Sequence, residues 1–84
     1  MTESTQCYET IIGRRVTNPY SNILPAFEIN GKVAYMNPKT NSYTMVGYPT
    51  EFILHIDIMA SRTLPEDYRY IKIMDQAVFN YLES

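Results

Sequence analysis

The dipeptide Asn30-Gly31 separates two short runs that each contain apolar residues, 26–29 and 32–36. Asparagine and glycine tolerate positive φ at both central positions of a type I′ turn, and the twist of that turn matches the twist of paired strands. A two-residue loop at this point fixes the cross-strand partners as Ile29 with Lys32, Glu28 with Val33, Phe27 with Ala34 and Ala26 with Tyr35. Strand side chains alternate between faces, so Phe27, Ile29, Ala34 and Met36 share one face, and Ala26, Glu28, Val33 and Tyr35 the other. The first set reads as core.

A third strand over 42–46 follows the turn-forming stretch Asn37-Pro38-Lys39-Thr40-Asn41. Its register follows from which pairing keeps the apolar face continuous, because a slip of one residue moves every side chain to the opposite face. Pairing Met36 with Tyr43 brings Tyr43 and Met45 to the core, whereas the slipped register would bring Ser42 and Thr44 there. The first register is preferred. It leaves Glu28, Val33, Tyr35, Ser42, Thr44 and Val46 on the outward face.

The flanking segments are less constrained. Residues 7–16, CYETIIGRRV, fit a helix through Tyr8, Ile11, Ile12 and Arg15 and a strand through Tyr8, Thr10, Ile12 and Val16, and both readings stay open. Residues 17–25 contain two prolines and several Asn and Ser residues and read as a loop. In 52–59, FILHIDIM, Phe52, Leu54, Ile56 and Ile58 alternate, and the three isoleucines favour strand over the helix that Pro49-Thr50-Glu51 could open. Near the C-terminus, Tyr70, Ile71, Met74, Ala77, Val78, Tyr81 and Leu82 lie at helical spacing, preceded by Thr63-x-x-Glu66, which matches a capping box. The expected fold is therefore α+β: one domain over 1–84, with an antiparallel meander of three or four strands packed by a C-terminal amphipathic helix. The polar residues 1–6 are expected to be disordered.

Composition bounds the class. Of 84 residues, 45% are hydrophobic and 19% charged, enough apolar surface for one folded core. Cys7 is the only cysteine, so no intramolecular disulfide forms, and it reads as an inert thiol. Small secreted domains rely on such staples. The polar N-terminus lacks the basic and apolar regions of a signal peptide, and no apolar run is long enough for a membrane-spanning helix. These features lead to the expectation of a cytoplasmic protein, of a cell or an infected host, with no membrane partner.

Net charge is −2, and the charges are mixed along the chain. Nucleic-acid binding normally requires a concentrated basic footprint, which makes such a partner disfavoured. The eight tyrosines keep one version of it in view, a tyrosine-bearing sheet face assisted by Arg14, Arg15, Lys32 and Lys39. The glycines at 13, 31 and 47 are isolated and form no phosphate loop, and one histidine and one cysteine give no metal-ligand spacing. His55 and Asp57 would share a face of a strand, the geometry of an imidazole oriented by a carboxylate, but without a third group they read as solvent-facing neighbours. No catalytic residue, metal or cofactor is expected.

The apolar residues left over after the core is assigned point elsewhere. Ile73 and Phe79 fall off the helical stripe, and Val33, Tyr35, Thr44 and Val46, with Glu28 beside them, make the outward sheet face half apolar. These seven residues are the expected contact set. The expected function is non-enzymatic: a small adaptor or inhibitor that binds a larger protein or a second copy of itself, of the kind found among phage accessory and immunity-type proteins.

Overall fold

The computed structural model describes residues 9–84; Cys7 and the expectation of disorder over 1–6 lie outside them. The elements in chain order are β1 (Glu9–Arg15), β2 (Ala26–Ile29), β3 (Lys32–Met36), β4 (Tyr43–Met45), β5 (Leu54–Asp57), α1 (Ile58–Ser61), β6 (Tyr68–Ile73) and α2 (Gln76–Glu83). The six strands form one antiparallel sheet in the order β4-β3-β2-β1-β6-β5.

The hairpin forms in the expected register, with Ile29 opposite Lys32 and Ala26 opposite Tyr35. Asn30 and Gly31 carry φ values of 51° and 82°, the doubly positive pair of a type I′ turn. β4 also takes the expected register, Met36 opposite Tyr43. Phe27, Ile29, Ala34, Tyr43 and Met45 are accordingly buried, and Met36 packs at the edge of that core.

The sheet is larger than a three- or four-stranded meander because β1 pairs along its length with β6, and β6 with β5. The ambiguous segment 7–16 is thus a strand over its described part. It places Ile11 against the core and Gly13 under Ile71, Ile29 and Phe27, where no side chain would fit without displacement. In 52–59 the alternation is obeyed by Phe52, Leu54 and Ile56 and then stops. Asp57 caps α1 by accepting the Ala60 N–H, and the turn into that helix leaves Ile58 two-thirds exposed.

The C-terminal helix is shorter than the apolar stripe suggests. Tyr68–Ile73 is strand, Thr63 and Glu66 lie in the turn before it, and the helix starts only at Gln76, where the Asp75 carboxylate accepts the Ala77 N–H. Tyr70, Ile71 and Met74 coincide with helical spacing, but Ile71 and Ile73 alternate inward while Tyr70 and Lys72 face the other side. Ile73, expected to be exposed, is therefore 1% exposed and part of the core.

The two ends of the sheet meet. Tyr43 in β4 and Phe52, two residues before β5, exchange a pair of backbone hydrogen bonds of 2.8 and 3.0 Å, so the sheet curls until its outer strands touch at one point. Phe27, Tyr43, Phe52 and Tyr48 line the seam in a chain of ring contacts. Val78 and Leu82 of α2 pack into the concave face. The hairpin tip fastens that helix: Asn30 Nδ2 donates to the Leu82 carbonyl and Lys32 Nζ to the Ser84 carbonyl, while the Tyr81 hydroxyl donates to Val46 O. No helix among the described residues is long and apolar enough to cross a membrane.

Candidate functional site

With α2 on the concave face, no second layer of secondary structure covers the opposite face of the sheet among the described residues. The ladder registers set its residues in rows. Thr44, Tyr35 and Ala26 make one row; Val33, Glu28, Arg14 and Tyr68 make the next. Ile12, Tyr70 and Asp57 follow, then Thr10, Lys72 and His55. Val46 lies one residue past the last β3–β4 pair, in line with Val33.

One corner of this face is shaped by residues 16–25. The Val16 N–H continues the ladder to the Ala26 carbonyl. Asn18 then pins the loop: its buried side chain donates to the carbonyls of Pro25 (3.2 Å) and Met36 (2.9 Å) and accepts the Tyr20 N–H (2.8 Å). The Tyr20 ring consequently lies 5.2 Å from that of Tyr35. Burial, followed by the neighbouring Tyr20 hydroxyl, pushes the Tyr35 phenol above its ordinary pKa.

Between this loop and the strands runs a groove of about 580 Å³, walled by Val16, Pro19, Val33, Tyr35 and Val46 and bordered by Thr17, Gly31 and Lys32. Three of the residues expected from the sequence, Val33, Tyr35 and Val46, therefore converge on one concavity. Val46 is 86% exposed, a large apolar area to leave in water. Thr44 is half-buried beside Tyr35, and Glu28 beside Val33. Ile73 and Phe79 do not join them: Ile73 is interior, and Phe79 is half-buried against the core on the helix side. Val16 and Pro19 were invisible as site residues in the sequence, because nothing in a proline-containing loop says which face it folds across.

Two ion pairs lie on this face, and Lys39 borders it beside Tyr20, Tyr35 and Thr44. Arg14 Nη2 lies 2.7 Å from Glu28 Oε1, and that hydrogen bond and its charge raise the pKa of Arg14 above the ordinary guanidinium value. Lys72 Nζ lies 3.6 Å from Asp57 Oδ2. Lys32 is turned toward the helix, its ammonium 5.4 Å from the Tyr81 ring centroid. His55 and Asp57 do share a face, as a strand requires, but His55 is exposed and the Asp57 carboxylate is engaged by the Ala60 N–H and by Lys72. The Ala60 hydrogen bond is the main cause, and Lys72 a further one, of an Asp57 pKa below its ordinary value. Among the described residues, no three His, Cys, Asp or Glu side chains gather into a set that could hold a metal ion.

No family model, no curated protein and no solved structure matches this chain.

Proposed function

We propose that the protein is a small protein-binding module, an adaptor or inhibitor without catalytic activity of its own, and that it docks a larger protein on the uncovered sheet face at the groove between residues 16–19, β3 and Val46. The observation that carries this reading is the combination, in one concavity, of exposed apolar side chains with a neighbouring charge pair that is already neutralised internally. Interface centres are depleted in unpaired charge and enriched in tyrosine, because an apolar ring and a hydroxyl tip can be desolvated together whereas an unpaired charge cannot.

The same charge pairing weakens the nucleic-acid alternative. A phosphate backbone is bound by cations able to release counterions. Arg14 is held by Glu28 and Lys32 is directed to the helix end, which leaves Lys39 as the cation beside Tyr20 and Tyr35, short of the concentrated basic footprint that a phosphate backbone needs.

The test is a pull-down from the cells that express the protein, with wild type beside Val46→Glu and Val33→Glu. Both substitutions place a carboxylate on an exposed position of the groove. The reading predicts a stoichiometric protein partner that wild type retains and both variants lose, with no recovery of nucleic acid. A partner retained equally by all three moves the site elsewhere. Salt-sensitive nucleic acid in its place would favour the alternative.

A further inference from the structure

The side-chain amide of an asparagine can be attacked by the backbone nitrogen of the residue that follows it. The attack requires that this nitrogen carry a proton to lose, that its N–H be free of other partners and that no side chain crowd it. The six asparagines of the chain differ in these respects. Asn18 and Asn37 precede prolines, whose nitrogens carry no proton. The N–H after Asn22 donates to Ser21 Oγ (3.2 Å), and the one after Asn41 to Thr40 Oγ1 (3.4 Å). Asn80 is followed by Tyr81 inside α2, whose N–H belongs to the helical ladder. Asn30 alone is followed by glycine. Gly31 sits at the exposed tip of the hairpin, and among the described residues its N–H donates to no backbone carbonyl outside the ladders. A Cβ at Gly31 would meet nothing within 4 Å, so its nitrogen stands open to water.

The amide at this position also fastens the helix. Asn30 Nδ2 donates to the Leu82 carbonyl at 2.9 Å and to Glu83 Oε2 at 3.0 Å, both on the last turn of α2. Conversion of the amide to an acid replaces a nitrogen with two donors by an oxygen that only accepts. The new carboxylate would then face a carbonyl oxygen and a second carboxylate, where the amide had two acceptors to bind.

We propose that Asn30-Gly31 is a self-modification site, at which the chain converts Asn30 to aspartate and isoaspartate and thereby unfastens α2 from the hairpin tip. The Gly31 nitrogen bonds to Asn30 Cγ, the Cγ–Nδ2 bond breaks, and the Gly31 proton departs with Nδ2 as ammonia, leaving a five-membered imide. Water then opens the ring. Attack at Cγ gives aspartate, and attack at the Asn30 backbone carbonyl carbon gives isoaspartate, in which the main chain runs through Cγ. Nothing is oxidised or reduced, and water is the only other reactant. The last turn of a helix frays, and each opening frees the amide for attack. Neither product can donate to Leu82 or Glu83 again, so the change runs one way. Isoaspartate further lengthens by one atom a turn whose ends are fixed by the Ile29–Lys32 pair.

Two measurements on the full chain test the proposal. The folded protein is held in mildly alkaline buffer and sampled over days, with a parallel sample in urea; peptide masses locate each amide-to-acid conversion, and labelling by an isoaspartyl methyltransferase reports isoaspartate. The folded chain is expected to lose the Asn30 amide ahead of every other asparagine and to gain isoaspartate there. A folded chain that keeps Asn30 intact while the urea sample converts it overturns the proposal, as does loss at Asn22 or Asn41 that keeps pace. Hydrogen exchange on Asn30→Asp then reads the consequence. Asp-Gly also suits a type I′ turn, so this variant keeps the hairpin and removes only the clasp. Amides of α2 are expected to exchange about fivefold faster or more than in wild type, while those of β1 and β6 keep their rates. Unchanged exchange in α2, or a rise shared equally by β1 and β6, contradicts the unfastening.

Discussion

Gly13 offers a sharp perturbation, because a single methyl group there reports on the packing of three strands. It occupies the core face of β1 at the middle of the sheet. A Cβ at that position would lie 2.6 Å from Ile71 Cδ1, 3.0 Å from Ile29 Cγ1 and 3.3 Å from Phe27 Cβ. Ile29 and Ile71 are wholly buried and Phe27 nearly so, which leaves little space for any of them to retreat. Overpacking of this kind costs about 1–3 kcal/mol. Replacing glycine by alanine in a strand returns about 0.5–1 kcal/mol through reduced chain entropy. Gly13→Ala should therefore be destabilising by a net of up to about 2.5 kcal/mol, or up to about 10–20 °C in Tm for a domain of this size. Urea and thermal unfolding followed by circular dichroism measure both. The nearest atom is the terminal methyl of Ile71, which Ile71→Val removes at a cost of about 0.5–1.5 kcal/mol by itself. The double variant should be more stable than the sum of the two single changes, by about 1 kcal/mol. A stabilising Gly13→Ala, or strict additivity with Ile71→Val, would refute the placement of Gly13 between β2 and β6.

Three further outcomes follow from the same structure. Ile73→Ala should cost about 2–5 kcal/mol in urea unfolding because the side chain is interior, whereas Ile58→Ala, on an exposed position, should stay within about 0.5 kcal/mol. Asn18→Ala withdraws donors from two carbonyls and an acceptor from the Tyr20 N–H, and should cost about 1–3 kcal/mol; Asn18→Asp, which keeps only the acceptor, should recover little of it. The folded-state pKa of Asp57 is depressed by the Ala60 N–H and Lys72, so its contribution to stability is present above the ordinary carboxylate value of 3.8 and is lost as pH falls through the lower folded value. Asp57→Asn should accordingly flatten the acid limb of a stability-against-pH curve below about pH 4, and an unchanged limb would count against the ionised cap.

The portion of the fold visible in the sequence is the portion whose contacts are local. The β2–β3–β4 registers could be read because Asn30-Gly31 permits one tight turn and because only one alignment of 42–46 keeps Tyr43 and Met45 with Phe27, Ile29, Ala34 and Met36. β1 could not, since its central core position is a glycine and leaves no apolar mark in the pattern. Its partner β6 lies more than fifty residues away, a pairing that no local signal records. In β6 the period was misleading. Tyr70, Ile71 and Met74 mimic a helical stripe, yet the run Tyr68–Ile73 is rich in aromatic and β-branched residues, and that preference prevailed once β1 and β5 could pair on either side. The cost of the misreading fell on the contact set, because Ile73 changes from surface to core when its segment becomes strand. Val33, Tyr35 and Val46 lie as neighbours because their facing depends only on the β2–β3 and β3–β4 registers. The groove they share with Val16 and Pro19 depends on the Asn18 clasp, which links residues distant in the chain.

The proposed docking groove is most directly tested by site-specific photocrosslinking from Val46 in the cells that express the protein. A crosslinking side chain at 46 should form a covalent adduct with one partner protein, which identification of the adduct would name, while the same group at Thr63, on the exposed turn between α1 and β6, should form none. Equal capture of that partner from both positions, or capture only from Thr63, would contradict the assignment of the uncovered sheet face as the binding surface.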